Sequence, residues 1–483
     1  MILPIINTNS KRINYHMKNN NHLSINNMQR AYACMLLICL LIITGCKKSE
    51  PSNITEPVVK QPIAQYDTPF SKVPATSDII MYEVNLRAFS SEGNLKGVQT
   101  RLDSIKALGV NVIWLMPIYP IGELKGVNSP YSVRNYMQVN SEFGTLEDLR
   151  TLVSEAHRRD MAVILDWVAN HTSWDNPWIQ NTAWYTKDGG GNIVSPNGWN
   201  DVADLNYNSQ ALRKEMTEAM KYWILTANVD GYRCDFADGV PYDFWKQAID
   251  TIRSIPNRKL IMFAEGTRKD HFSAGFDLTF GWNFYGNLKD VFKKNNSTAS
   301  LVAAHTADYS KIPDNKHILR FTSNHDDNAV DNSPVYIFNG QQGSLAAFVI
   351  TSYMGGVPLI YSGQEIGYPG KLSFFDRTPI DWSINPEMTA AYKKIINFRQ
   401  VSNAIRKGSL TPFSNNNDVV AFKKVAGAEQ VLVFVNVRNE AINVNLDATL
   451  HNTNWTNAMN DQQLTLGTSV ALSPYEYIIL KNN

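Results

Sequence analysis

The chain has 483 residues, of which 44% are hydrophobic and 18% charged, so wholesale disorder is excluded and a large core is available. At ~100–200 residues per domain, the length is that of about three domains, or of one large barrel with a small partner. The formal net charge is +1 and no block of like charge runs along the chain, which argues against a nucleic-acid surface.

The first 45 residues hold four of the 45 basic residues (Lys11, Arg12, Lys18, Arg30) and none of the 44 acidic ones, so the remainder is net acidic by three charges. Residues 31–43 form an unbroken apolar run of 13. A helix that crosses a bilayer needs about 20 such residues, whereas a signal-peptide core is this short. Ile43-Thr44-Gly45-Cys46 follows directly and resembles the lipobox of bacterial lipoproteins. The resemblance implies a signal peptide over 1–45, cut before Cys46, and a lipid on Cys46 that holds the chain at a membrane surface without crossing it. The expected location is the outer membrane of a bacterium, on its periplasmic or cell-surface side. The alternative is a buried apolar strand in an N-terminal extension. Met17 and Met28 are alternative starts, because the Asn-rich stretch before Met28 is unusual for a signal.

Of the four cysteines, Cys34 and Cys39 would leave with the signal and Cys46 would carry lipid, which leaves Cys234 alone. A disulfide framework and a Cys-based metal site are both excluded on this reading. Residues 46–77, with Pro51, Pro57, Pro62, Pro69 and Pro74 among polar residues, read as the anchor cysteine and an extended tether.

From residue 78 the pattern changes. Short apolar runs recur at 79–84, 110–117, 161–168, 229–236, 259–265, 276–280, 317–323 and 357–362. Helical spacing lies between most of them. Val98, Leu102, Ile105 and Leu108 share one face, as do Leu146, Leu149, Val153 and Ala156 after a cap at Thr145. Apolar runs alternating with amphipathic helices imply parallel strands covered on the outside. Eight such units predict an α/β fold, a (β/α)8 TIM barrel over 78–402. An open doubly wound sheet is the rival, and the lack of a Gly-rich phosphate loop after the first strand counts against it.

The connection between the third and fourth strands, about 171–208, is long for a structureless loop and reads as a small inserted domain. It contains Trp174, Trp178, Trp184, Trp199 and the run Gly189-Gly190-Gly191. Its tryptophans suit a small local core and a sugar platform equally. Beyond 403 the helical pattern stops, and apolar alternation at 419–423, 430–437, 441–446 and 475–480 predicts a C-terminal antiparallel β-sandwich domain.

Ionisable residues gather directly after the apolar runs, where a barrel of this type carries its chemistry. The third run gives Asp166-Trp-Val-Ala-Asn170-His171, the fourth Gly231-Tyr-Arg233-Cys-Asp235, the fifth Glu265, the seventh Asn324-His325-Asp326 and the eighth Gln364-Glu365. Asp235, Glu265 and Asp326 would converge on one mouth, and converging carboxylates raise one another's pKa. A protonated acid beside an ionised carboxylate is the division of labour that glycosidic bond cleavage requires. Arg233 lies two positions before Asp235 and so points the same way on a strand. It is expected to keep Asp235 charged and leave the raised pKa to Glu265. The aromatic content, with 11 Trp and 21 Tyr, suits stacking against sugars as well as core packing.

These segments, in their order, resemble the conserved regions of the α-amylase family of glycoside hydrolases, together with Tyr82-Glu-Val-Asn-Leu-Arg-Ala-Phe89 on the first strand. The resemblance implies retaining hydrolysis of α-glucosidic bonds in starch-like glucans or malto-oligosaccharides. Asp235 would be the nucleophile, Glu265 the general acid/base and Asp326 the stabiliser of the transition state. Arg233 would orient the nucleophile, His171 and His325 would bind the sugar ring, Tyr131 would stack under it, and Asp166 would be a structural carboxylate near the arginine. The inserted segment would be domain B. A calcium ion, where present, would use Asn170, Asp204 and a backbone carbonyl near Gly239, and no organic cofactor is expected.

Two positions depart from the family's pattern. Asp238-Gly239 stands where Lys-His is frequent on the leaving-group side, and Asn135 replaces a frequent Asp. Both bear on the preferred glucan and on hydrolysis against transfer. A glycosyl transferase or isomerase of the same family, and a non-catalytic glucan-binding lipoprotein, are the alternative readings. His157, His271 and His305 read as surface or packing residues, and Cys234 as packing.

Overall fold

The computed structural model describes residues 63–413 and 416–482. The expected signal peptide, Cys46 and the first part of the tether lie outside the described residues.

Eight parallel strands close into a barrel: Met81–Val84, Val112–Leu115, Ala162–Val168, Gly231–Asp235, Ile261–Ala264, Leu278–Phe280, His317–Arg320 and Val357–Tyr361. Each lies inside one of the eight apolar runs. Round the barrel the order is first, eighth, seventh, sixth, fifth, fourth, third, second, with Tyr82 opposite Ile360 closing the ring. Almost every strand residue is buried, because one face fills the barrel and the other meets the helices. That double burial is why the strands read as continuous apolar runs and not as alternating ones.

The helix Leu146–Arg158 begins at the expected cap. Asp148 N–H donates to Thr145 Oγ1 at 3.2 Å, and Thr145 N–H donates to Asp148 Oδ2 at 2.9 Å. Its buried stripe is Leu149, Leu152, Val153 and Ala156, with Leu152 in place of Leu146. The stretch from Val98 to Leu108 is not one helix but two, Leu95–Gln99 and Leu102–Ala107. Arg101 breaks it with φ −110° and ψ 7°, and its guanidinium lies 4.0 Å from the ring of Trp382.

The inserted segment is held by a two-stranded antiparallel ribbon, His171–Ser173 with Val202–Asp204, in which His171 faces Asp204. Trp178 stacks on Tyr136 and Trp184 meets Trp178 edge-on, so these rings form the local core. Trp199 instead meets Phe236 and His171, beside the catalytic mouth.

The C-terminal part is a six-stranded antiparallel sheet and a two-stranded one, Ile442–Asn445 with Ser469–Leu472. The strand Glu429–Asn436 shows the logic. Leu432 and Phe434 join Val444, Val470 and Leu472 between the two sheets, while Val431, Val433 and Val435 join the core of the barrel. The sequence reading gave four of these strands. Four more strands, Ser409–Pro412, Asn454–Asn457, Gln463–Thr465 and Ser469–Leu472, have only three or four residues each, too short to show an alternation.

Of the segment read as tether, residues 63–77 lie against the barrel. Tyr66 N–H donates to Leu225 O at 2.7 Å, Phe70 stacks on His157 at 4.3 Å, and Lys259 Nζ reaches Val73 O and Pro74 O. Tyr66, Phe70 and the buried Val73 give the segment enough apolar area to pack.

Candidate active site

Arg233 is the centre of the site. The fourth strand points Arg233 and Asp235 inward together and Cys234 outward, where the thiol is free and buried. Arg233 Nη1 donates to Asp166 Oδ1 at 2.8 Å and to Asp235 Oδ1 at 2.9 Å. Arg233 Nη2 lies 2.8 Å from Glu265 Oε2, close in distance but off the direction of its N–H. One guanidinium therefore holds carboxylates from the third, fourth and fifth strands. Asp166 is sealed further by Trp114 Nε1–H and the Tyr131 hydroxyl, both donating to Oδ2 at 3.1 Å.

His325 begins the opposite half. Its Nδ1 lies 2.6 Å from Glu83 Oε1, and its Nε2 is 2.7 Å from the Tyr131 hydroxyl and 3.3 Å from Asp326 Oδ2. Burial works against a charged imidazole, but Asp326 and Glu83 raise the His325 pKa to about 9. Both ring nitrogens then donate, and the Tyr131 hydroxyl accepts from Nε2 while donating its own hydrogen bond to Asp166. Tyr131 lies nearly parallel to the His325 ring, 5.2 Å away.

Exposure is graded across this network. The side chains of Arg233 and Asp166 are 0% exposed, whereas Asp235, Glu265 and Asp326 are 12%, 15% and 56% exposed. The ion pairs that fix the geometry are dry, and the three carboxylates expected to meet substrate face the mouth.

Burial pushes the Glu265 carboxyl up to about 7; Arg233 opposes this, and the charges of Asp235 and Asp326 add to it. Asp235 also rises, to about 6, chiefly by burial and against Arg233. This corrects the expectation that Arg233 would leave the raised pKa to Glu265 alone. The guanidinium is shared among three carboxylates, so it offsets only part of the burial of each. Glu265 still lies above Asp235.

Phe236, directly after Asp235, is in the left-handed region at φ 39°. That costs a bulky residue about 1–3 kcal/mol. The turn aims Phe236 N–H at Glu265 Oε2, 2.6 Å away, and Ala237 N–H at Glu265 O, 2.8 Å away. His171 is buried, its pKa is lowered to about 4 by that burial, and it sits against the backbone of Tyr131. Several residues of the site were not assigned from sequence. Glu83 lies in the first-strand phrase that carries the resemblance but was given no role, and Trp114, Phe374 and His271 carry no local pattern that marks them. Phe374 meets Tyr131 and His325 edge-on at 6.1 and 5.6 Å and stacks with the more exposed Phe375.

Asn170 Oδ1 lies against Gly239, where a Cβ would come within 2.4 Å of it, and Asn170 Nδ2 is 3.2 Å from His171 Nδ1. The Asp204 carboxyl is half-buried and raised by that burial, with the Thr186 hydroxyl opposing. These are oxygen donors with one carboxylate among them, a set that fits calcium. Among the described residues no group of three or more His, Cys, Asp or Glu side chains gathers as a metal site.

Comparison with known proteins agrees with this geometry. The family described as "Alpha amylase, catalytic domain" matches residues 47–189 and 181–454. The chain is 28% identical over 399 residues to alpha-amylase 2 of Dictyoglomus thermophilum, covering 77% of this chain and 68% of that one. The α-amylase structure from Lactobacillus plantarum superposes with a TM-score of 0.77 at 27% identity, over 85% of this chain and 100% of that one. The Geobacillus thermoleovorans α-amylase complexed with acarbose gives 0.73 at 25% identity, over 85% of this chain and 99% of that one. With the barrel, the strand-end carboxylates and these likenesses together, the chain belongs to the α-amylase family of glycoside hydrolases, which act on α-glucans.

Proposed function

We propose that this protein hydrolyses α-glucosidic bonds of starch-like glucans or malto-oligosaccharides with retention, through a covalent glycosyl-enzyme. The observation that carries the reading is one buried guanidinium holding Asp235 and Glu265 together at an open mouth, both carboxyls raised and Glu265 the higher. Asp235, ionised, attacks the anomeric carbon while the bond to the leaving glucan oxygen breaks and Glu265 gives that oxygen its proton. Glu265, now a carboxylate, takes a proton from water, whose oxygen attacks the same carbon and frees Asp235. Asp326 opposes the positive charge that develops on the sugar ring, and Tyr131 supplies a flat face beneath it. Arg233 and Asp166 keep the nucleophile oriented.

Glu265→Gln removes the proton donor at nearly constant shape. It is expected to lower release of reducing sugar from soluble starch by about 100-fold or more while the fold and glucan binding persist. Activity close to the parent's in that variant would reject the assignment.

We also place a lipid on Cys46, supported by the basic flank, the apolar run and the Thr44-Gly45-Cys46 order, with the protein on the outer membrane of a bacterium. Cys46→Ala should move the protein from the membrane fraction to the soluble fraction of the producing cell. Retention in the membrane would overturn the anchor. Calcium at Asn170, Asp204 and a carbonyl near Gly239 completes the reading. Held by these residues, it would serve a structural role, tying the inserted segment to the ends of the third and fourth strands.

A further inference from the structure

We infer that Asp238 is a positioning residue that ties the loop after Asp235 to the loop after Glu265 and so sets how far apart these two carboxylates stand. The inference rests on the roles given to Asp235 and Glu265 above.

The fourth strand ends at Asp235, Phe236 turns left-handed, and the short helical turn Ala237–Gly239 carries Asp238 towards the fifth strand. There the Asp238 carboxylate collects donors from the chain directly beyond Glu265. Oδ2 accepts from Thr267 N–H at 3.0 Å and from the Thr267 hydroxyl at 3.2 Å; Oδ1 accepts from Arg268 N–H at 3.3 Å. Oδ1 is also 2.6 Å from His271 Nε2. The tie is returned, since Arg268 Nη1 donates to Asp238 O at 3.0 Å and to Val240 O at 3.2 Å. Two further features make the seam tight. A Cβ on Gly266 would come within 2.4 Å of Asp238 Oδ1 and 2.5 Å of His271 Nε2, so the residue after Glu265 leaves no room for the pair to shift. His271 is fully buried and its Nδ1 has no partner among the described residues, so Asp238 is the one polar group that its ring engages.

Strand pairing fixes where the backbones of Asp235 and Glu265 run, but the carboxyl groups stand beyond the last paired residues, Cys234 opposite Ala264. Arg233 holds both carboxyls on their inner side, and the seam from Asp238 to Thr267, Arg268 and His271, with Phe236 N–H on Glu265 Oε2, fixes the loops that carry them. A retaining pair must stand about 5–5.5 Å apart. A displacement of about 1 Å costs on the order of 100-fold in rate. Asp238 is thus placed to act on kcat through Glu265.

The test uses the full chain with soluble starch, below the melting temperature of each variant. Asp238→Ala and Gly266→Ala attack the seam from opposite sides, the second without removing a side chain. Each is expected to lower kcat by about tenfold or more with KM within about threefold of the parent. Each should also shift the alkaline limb of kcat/KM, because Glu265 moves relative to Arg233 and Phe236 N–H. Asp238→Asn keeps one acceptor oxygen, for Thr267 N–H, with its amide nitrogen turned to His271 Nε2, and is expected to recover part of the kcat lost in Asp238→Ala. Parent-like kcat and an unshifted limb in the folded Ala variants overturn the proposal, and so does an Asn variant as impaired as Asp238→Ala. If Asp238→Ala does not fold, Gly266→Ala decides. An active Glu265→Gln would sink the assignment of the acid itself, whereas an inactive Glu265→Gln beside a parent-like Asp238→Ala would sink only the seam.

Discussion

At the scale of single residues, the site turns on how one cation is divided. Arg233 faces Asp166, Asp235 and Glu265, and His325 faces Glu83 and Asp326. Carboxylates outnumber cations, so not all of them are comfortably ionised once burial is added. The consequence is a pH profile. Asp235 must be ionised to attack, so activity rises as pH passes about 6; Glu265 must hold its proton, so activity falls above about 7. We expect kcat/KM to follow a narrow bell with its peak between these values. Its limbs belong to the pair and not to either residue alone. A profile flat from about pH 5 to about pH 9 would contradict the arrangement. Asp235, Glu265, Asp326 and Arg233 were legible in the sequence because each sits directly beyond, or within, an apolar run. Asp238 and His271 were not, because nothing in the sequence joins two residues more than thirty positions apart across neighbouring strands. Sequence alone read His271 as a surface or packing residue.

At the scale of elements, local signals were read well where the partners are close in the chain. The Thr145 to Asp148 cap needs only three positions of separation. The break between Leu95–Gln99 and Leu102–Ala107 was hidden, since it depends on Arg101 lying over Trp382, far along the chain. The inserted segment has the same character. Its tryptophans divide between a local core and the catalytic mouth, a division that composition does not carry. The proposed calcium belongs to this element. Removing it with chelator is expected to lower the melting temperature by several degrees, and added calcium to restore it. A hundredfold excess of ligand over Kd stabilises by about 2.7 kcal/mol. A melting temperature indifferent to chelator would remove the ion from the account.

At the scale of the whole molecule, the C-terminal sheet packs onto the barrel's outer layer of helices and shares its core. The helix Gln341–Tyr353 is buried from Gly343 onward, and the strand Glu429–Asn436 packs against it. Val431, Val433, Val435, Phe422 and Ile479 contribute to that shared core, and Arg438 donates to Val291 O and Asn296 O across the same boundary. Each such side chain is worth about 1.5–3 kcal/mol when buried. Together they rival the ~5–15 kcal/mol by which a native protein exceeds its unfolded state. A chain ended after residue 402 should therefore be recovered mainly as aggregate, measured as the soluble fraction after expression. A soluble, active truncation would show that the barrel stands without the sheet.

The sequence by itself determined the eight strands, the class of fold and the carboxylates that carry the chemistry. Those features rest on burial patterns within a few residues, which any closed barrel of alternating strands and helices must display. Only the tertiary structure decided which carboxylates share Arg233, that Asp235 is raised along with Glu265, and that Asp238 joins their loops. Such facts arise when distant strands become neighbours, since burial and Coulomb interaction act across space and leave no mark on residue order.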